Sequence, residues 1–190
     1  GQLPYALSVR PYTRFLENYI AEKRWVKEQV LDLSYGEKVT IFEYLLNNAQ
    51  PQNRAYQYDF FFDNCATRIR DVLVANLGNN LAYEDKAYVP TWFTFRQLIQ
   101  QRLNWNSWGS LGIDIALGAV IDRTATPWEH QFLPDYTFES LQTATLTKKG
   151  ETAALLKKTT TLNEAGTRNK NSNLFLSPFF VFLVIGLGIV

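Results

Sequence analysis

Cys65 is the only cysteine among the 190 residues, and it stands where a helix is predicted to begin. A lone thiol can form no disulfide within the chain, so it acts as a nucleophile, a ligand or a packing group. Asp63 or Asn64 can cap the helix, which places Cys65 in the first turn. There, unpaired backbone N–H groups and the positive end of the helix dipole stabilise a thiolate. The apolar residues that follow keep helical spacing, at Ile69, Val72, Leu73 and Leu77.

Charged neighbours of Cys65 act in opposite directions. Arg68, one turn along, favours a thiolate, whereas Asp63, two residues before, disfavours it. Arg68 is further predicted either to bind a lipid phosphate or to pair with Asp71. Asn64 is predicted to be a cap, with a role in orienting the site as a second hypothesis. The alternative for Cys65 is a small buried side chain that only packs, which is the commoner role of a free cysteine.

The composition narrows the classes of function. With 46% hydrophobic and 15% aromatic residues, the chain can bury a core. Its formal net charge is +1 and its positive charges are scattered, which argues against nucleic acid as a partner. One cysteine and one histidine make no zinc pattern, and neither a calcium loop nor a glycine-rich phosphate loop occurs. We therefore expect no metal and no other cofactor.

The spacing of apolar residues and caps predicts an α+β domain that is mainly helical. Ser34 and Glu37 form a capping box that begins a helix, and Pro51 follows its end. The remaining elements predicted are helices over 11–30 and 91–103, a strand or extended segment over 54–62, and a short helix from Pro134 on.

The last third of the chain changes character twice. Residues 148–173 are rich in Thr, Lys and Asn and are predicted to form a polar linker. Residues 174–190 are apolar and uncharged, just short of the roughly 20 residues that span a bilayer. We interpret them as the start of a transmembrane helix, with a buried helix as the alternative. The predicted organisation is thus a domain over 1–147, a linker and a membrane anchor.

Several segments of the chain resemble one family, the lipoprotein N-acyltransferase (Lnb) family of Bacteroidota, and the order in which they occur supports the resemblance. The most specific of them is Asp-Asn-Cys-Ala-Thr-Arg, at residues 63–68. The resemblance extends from Gly1 to about Leu146 and is to the later part of the family's N-terminal periplasmic domain. The segments that carry it are residues 1–5, 31–33, 56–71, 94–99, 112–118 and 132–136.

The resemblance implies a permuted papain-like (NlpC/P60-type) fold, in which a histidine on an early strand precedes the cysteine helix. In that arrangement Cys65 is the nucleophile. It accepts a fatty acyl chain from a phospholipid as a thioester and passes it to the N-terminal amine of a lipoprotein. Phospholipid donor and lipoprotein acceptor are then the partners, and the domain lies on the periplasmic face of the inner membrane.

In that family pattern the histidine lies on a strand that we expect upstream of Gly1. The strands of the fold that precede the cysteine helix are therefore expected to be missing from these 190 residues. The chain's one histidine, His130, does not fall at the motif and is predicted to be structural. We therefore expect the 190-residue chain alone to be inactive. Two other functions remain open from the residues. One is a cell-envelope cysteine amidase or peptidase, and the other is a non-enzymatic subunit of an envelope assembly with an inert thiol.

Overall fold

The computed structural model describes residues 3–104, 106–166 and 174–188. It is an α+β structure, as predicted, with helix over about half of these residues and small antiparallel sheets. The chain divides into two compact units. The first comprises residues 1–90 and 127–167, and the second comprises residues 91–126 and 168–190.

The first unit contains seven short strands in three antiparallel sheets among the described residues. β1 pairs with β3, β2 pairs with β7, and β5 lies between β4 and β6. Lys149 and Gly150, which join β5 to β6, both have positive φ, the backbone that a two-residue hairpin turn requires. The strands are β1 (Leu3–Ala6), β2 (Val26–Leu31), β3 (Ala55–Tyr58), β4 (Leu81–Ala82), β5 (Thr145–Lys148), β6 (Glu151–Ala154) and β7 (Leu156–Asn163).

Helices of the first unit pack on a core that includes Leu73, Leu141 and Leu155. Leu155, between β6 and β7, is completely buried there. Its N–H donates to the Ala144 carbonyl and its carbonyl accepts from the N–H of Asp32. The helices are α1 (Tyr12–Ala21), α2 (Tyr35–Asn48), α3 (Cys65–Leu77), α4 (Asp85–Tyr88), α7 (Pro127–His130) and α8 (Pro134–Thr143).

The second unit contains α5 (Phe95–Gln100), α6 (Trp108–Leu117) and α9 (Pro178–Gly188). Arg96 of α5 holds α6 and the 3₁₀ turn after it by contacting Asp114, Asp122 and the Gly118 carbonyl. α9 is apolar and 11 residues long. Within the described residues, no helix has both the length and the apolarity needed to cross a membrane. The membrane anchor over 174–190 therefore stays a prediction, and residues 189–190 lie outside the described part.

Several predicted elements are confirmed. Ser34 caps α2 with both hydrogen bonds of the capping box, and Pro134 is the first residue of α8. The predicted helix over 91–103 is shorter, because Thr94 caps α5 and Gln100 ends it. The strand or extended segment predicted over 54–62 contains β3.

Two predictions are wrong. The helix predicted over 11–30 ends at Ala21. Lys23, two residues later, takes a positive φ, and Val26–Leu31 forms a strand instead. Its partner β7 belongs to the stretch predicted as a linker, 148–173. The linker prediction fails for residues 151–163 because two strands form there and Leu155 between them enters the core. Residues 167–173 of that stretch lie outside the described part.

Candidate functional site

Asn64 caps α3, so that Cys65 is the first residue of the helix. The Asn64 side-chain oxygen accepts hydrogen bonds from the N–H groups of Ala66 and Thr67, at 2.8 and 3.0 Å. The Thr67 hydroxyl in turn accepts from the Asn64 N–H at 2.9 Å, which completes a capping box. The helix therefore begins at Cys65 for a local reason, as the sequence predicted.

The side-chain NH₂ group of Asn64 also makes two hydrogen bonds. It donates to the carbonyls of Phe60 and Phe132, at 2.7 and 2.9 Å, and Asn64 itself is buried. With two bonds accepted and two donated, this side chain joins the loop before α3, the first turn of α3 and the loop before α8. The hypothesis that Asn64 orients the site is consistent with this geometry, and it acts through backbone positions.

Cys65 is exposed, so the alternative of a buried packing residue is wrong. The N–H groups of the next three residues are all bonded, to the side chain or the backbone of Asn64. The N–H of Cys65 itself has no partner among the described residues. The first turn of α3 thus presents a thiol and one unused backbone donor on the same residue.

Arg68 pairs with Asp63, and the expectation that it pairs with Asp71 is wrong. Its Nη2 donates to Asp63 Oδ2 at 2.9 Å, and its Nε lies 2.7 Å from Asp63 Oδ1 without hydrogen-bond geometry. The guanidinium carbon also lies 3.6 Å from the centre of the Tyr56 ring. Asp63 is therefore the partner of an arginine rather than a second cap.

Arg70 is the arginine that contacts Asp71. Its Nε donates to Asp71 Oδ1 at 2.8 Å, and its Nη1 donates to the Trp128 carbonyl at 3.0 Å. The guanidinium also lies 3.9 Å from the Trp128 ring centre. Arg70 is buried and Arg68 is partly exposed, and of the two only Arg68 lines a groove together with Cys65.

Cys65 lines an open groove of about 1140 Å³ in the first unit. This volume is slightly above the roughly 300–1,000 Å³ of small-molecule sites. Three helices line the groove mostly with apolar side chains at helical spacing. These are Ile41 and Leu45 of α2, Ile69 and Val72 of α3, and Phe138 and Leu141 of α8.

Two tyrosines of β3 lie near the thiol. Burial raises the pKa of Tyr56, while the positive charge of Arg68 opposes that rise. Burial also raises the pKa of Tyr58, and negative charge on Cys65 adds to the rise. The two phenols therefore stay protonated beside Cys65 at neutral pH and can donate hydrogen bonds there.

His130 is placed apart from this groove. It is completely buried at the end of α7, its ring meets the Tyr136 ring edge-on at 5.1 Å, and it does not line the groove. This placement agrees with a structural role. In the described part of the chain, no cluster of His, Cys, Asp and Glu residues is arranged to hold a metal ion.

The contribution of α2 and α8 to the groove was not predicted from the sequence. Their apolar spacing was visible, but the same spacing serves a buried core equally well. The groove forms because α3 contacts both α2, which precedes it, and α8, which lies much further along the chain.

Fold and site together define an α+β domain that carries an exposed thiol at a helix start, beside an apolar groove. Residues 1–101, more than half of the chain, match the family model described as the Lnb N-terminal periplasmic domain. The chain therefore belongs to the Lnb family. This membership fits a periplasmic location and indicates a role in lipoprotein modification. No curated protein and no solved structure matches the chain.

Proposed function

We propose that the protein transfers a fatty acyl chain from a phospholipid to the N-terminal amine of a lipoprotein, with Cys65 as the nucleophile. The observation that carries the proposal is that the exposed Cys65 lies at the start of a helix and also lines an apolar groove. A nucleophile of this kind needs a thiolate, and its substrate needs an apolar surface for the chain.

The reaction has two steps. The Cys65 thiolate attacks the carbonyl carbon of the phospholipid ester, a carbon–sulfur bond forms, and the carbon–oxygen bond to glycerol breaks. The lysophospholipid leaves as an alcohol after taking up a proton. The α-amine of the lipoprotein then attacks the thioester, so that an amide forms, the amine loses a proton, and the thiol is freed.

The unused N–H of Cys65 supports this chemistry. In both steps the carbonyl oxygen gains negative charge, and a backbone donor already in place stabilises that charge without reorganisation. The positive end of the α3 dipole acts on the same oxygen. Tyr56 and Tyr58, protonated at neutral pH, are additional donors near the thiol.

The proton acceptor of the first step is not His130, which is buried outside the groove. The family resemblance implies a histidine on a strand before the cysteine helix, in a permuted papain-like order, and we include that residue in the proposal. The proposal also includes a membrane anchor, since both substrates reside at the bilayer surface.

Intact mass spectrometry of the full-length protein after incubation with phospholipid tests the proposal. We expect an added fatty acyl mass that hydroxylamine removes and that a Cys65→Ala variant lacks. Because Cys65 is exposed, this variant should fold as the wild type does. Absence of the adduct, together with slow alkylation of Cys65 in the folded protein, would overturn the proposal and leave an inert thiol. Cleavage of an envelope peptide without acylation would favour the amidase.

A further inference from the structure

The groove beside Cys65 has a direction, because the residues of α3 that line it follow one another along one face of the helix. Cys65, Ile69 and Val72 are spaced by four and three residues, so their side chains lie above one another. Phe62 and Arg68, close to Cys65 in sequence, line the groove as well. The groove therefore runs from the sulfur towards the C-terminal half of α3.

The buried core forms the wall of the groove away from Cys65. Leu73 and Leu141 line the groove and also belong to the buried core, and Leu31 and Ile41 pack against that core. Leu73 is eight residues beyond Cys65, which corresponds to about 12 Å along the helix axis. An extended hydrocarbon chain with carbon–carbon bonds of about 1.5 Å advances less than that per carbon, so the groove holds roughly ten carbons.

The groove suits hydrocarbon because it is mostly apolar and two of its polar side chains, Gln29 and Thr137, already have hydrogen-bond partners. The Gln29 amide donates to the Phe138 carbonyl at 2.9 Å, and the Thr137 hydroxyl donates to the Gln131 carbonyl at 2.7 Å. A polar ligand would have to replace these bonds, whereas an alkyl chain leaves them intact. The groove thus favours a chain without polar groups beyond the carbonyl carbon.

We propose that this groove measures the chain attached to the Cys65 sulfur, and that Val72 determines how many carbons it accepts. The inference rests on the proposed function for the identity of that chain, a fatty acyl group. Val72 is half-buried, lines the groove on the same helix face as Cys65 and Ile69, and is not part of the core cluster that contains Leu73. A larger side chain at this position fills the inner end of the groove without entering the core.

Alkyl methanethiosulfonates of increasing length test the inference on the 190-residue chain itself, without any acyl transfer. Each reagent places an alkyl chain on Cys65 through a disulfide and releases methanesulfinate. We expect the labelling rate constant to rise about two- to four-fold per added carbon up to roughly ten carbons, as buried methylenes predict, and then to level off. In Val72→Phe the levelling should come several carbons earlier, and the decyl reagent should react about ten-fold more slowly.

Two variants serve as matched controls. Val74→Phe makes the same change on the same helix at an exposed position that does not line the groove, and should keep the wild-type profile. Cys65→Ser with Gln52→Cys moves the thiol to an exposed turn and gives the intrinsic effect of reagent length. If Val72→Phe does not fold, Val72→Leu should shorten the profile by one or two carbons.

If the labelling rate constant of the wild type rises with reagent length no more steeply than that of the Gln52→Cys control, the groove does not bind the alkyl chain. If the rate constants of Val72→Phe and Val74→Phe depend on reagent length in the same way, Val72 does not set the length limit. Both results are independent of phospholipid. If the expected profiles appear but the full-length protein forms no thioester, the proposed function fails while the chain-binding groove stands.

Discussion

The side-chain amide of Asn64 donates a hydrogen bond to the Phe132 carbonyl over 2.9 Å, which joins the start of α3 to a loop 68 residues further along the chain. The same side chain caps the helix that begins with Cys65. One buried residue therefore fixes both where the helix starts and which loop lies against it. This relationship holds the candidate nucleophile in place without touching its sulfur.

Asn64→Ala should lower the free energy of unfolding by about 2–4 kcal/mol, because it removes the cap and leaves buried carbonyls without a donor. Asn64→Ser keeps a capping oxygen, so its free energy of unfolding should fall by less than that of Asn64→Ala. Ser34→Ala is the matched control, since Ser34 makes a capping box at an exposed helix start and should cost about 1 kcal/mol. Urea unfolding measures all three, and equal losses at positions 64 and 34 would contradict the tie to the second loop.

Arg68 and Arg70 make a second comparison, in which the same substitution should have unequal effects. Arg68→Gln breaks a partly exposed ion pair and should cost less than about 1 kcal/mol. Arg70→Gln removes a buried guanidinium that bonds the Trp128 carbonyl and stacks on its ring, and should cost about 2–4 kcal/mol. Denaturant unfolding at two salt concentrations tests this, and the reverse order would show that the ion pair at Asp63 is the structural one.

Because the hydroxyl of Tyr83 is buried, we expect the free energy of unfolding to depend on pH in the alkaline range. This hydroxyl has no hydrogen-bond partner among the residues that the structure describes, and burial raises the pKa of Tyr83 to about 12. The unfolded chain, with an ordinary tyrosine pKa near 10, loses the proton first and so binds fewer protons than the folded chain. Stability contributed by Tyr83 is therefore complete below pH 10 and declines as the pH rises towards 12.

Tyr83→Phe should remove that decline and leave stability at pH 7 unchanged or slightly higher, because no hydrogen bond is lost. Thermal unfolding from pH 7 to 11 compares the variant with the wild type, and the difference between the two curves isolates Tyr83 from the other titrating groups. A variant that is less stable than the wild type at pH 7 would contradict the unpartnered hydroxyl.

The exposure of Cys65 predicts its reactivity in the folded chain. Iodoacetamide should alkylate Cys65 without denaturant, at a rate within about ten-fold of that in urea-unfolded chain at the same pH. A buried thiol would react only through unfolding and would be slower by about 10³-fold or more, because the unfolded fraction is that small. Mass spectrometry of quenched samples follows the reaction, and protection on the larger scale would remove the basis of the proposed nucleophile.

Local chemistry in the sequence determined the helix starts that matter most. The capping box at Ser34 depends on a partner three residues away and was recognised from the sequence, and the cap before Cys65 was narrowed to Asp63 or Asn64, which placed Cys65 in the first turn of its helix. The acidic partner of Arg68 was predicted wrongly, because Asp71, three residues along the helix, and Asp63, five residues before, are both within reach of a flexible side chain. Only the folded loop before α3 selects between them.

The tertiary structure alone decided the elements that depend on distant partners. The segment Val26–Leu31 is a strand because residues 156–163 pair with it, and neither segment carries a strand pattern strong enough to be recognised by itself. The groove forms for the same reason, since α3 meets helices from separate parts of the chain, α2 before it and α8 well after it. Hydrogen bonds and apolar contacts between distant segments leave no local spacing in the sequence, whereas caps and helix faces do.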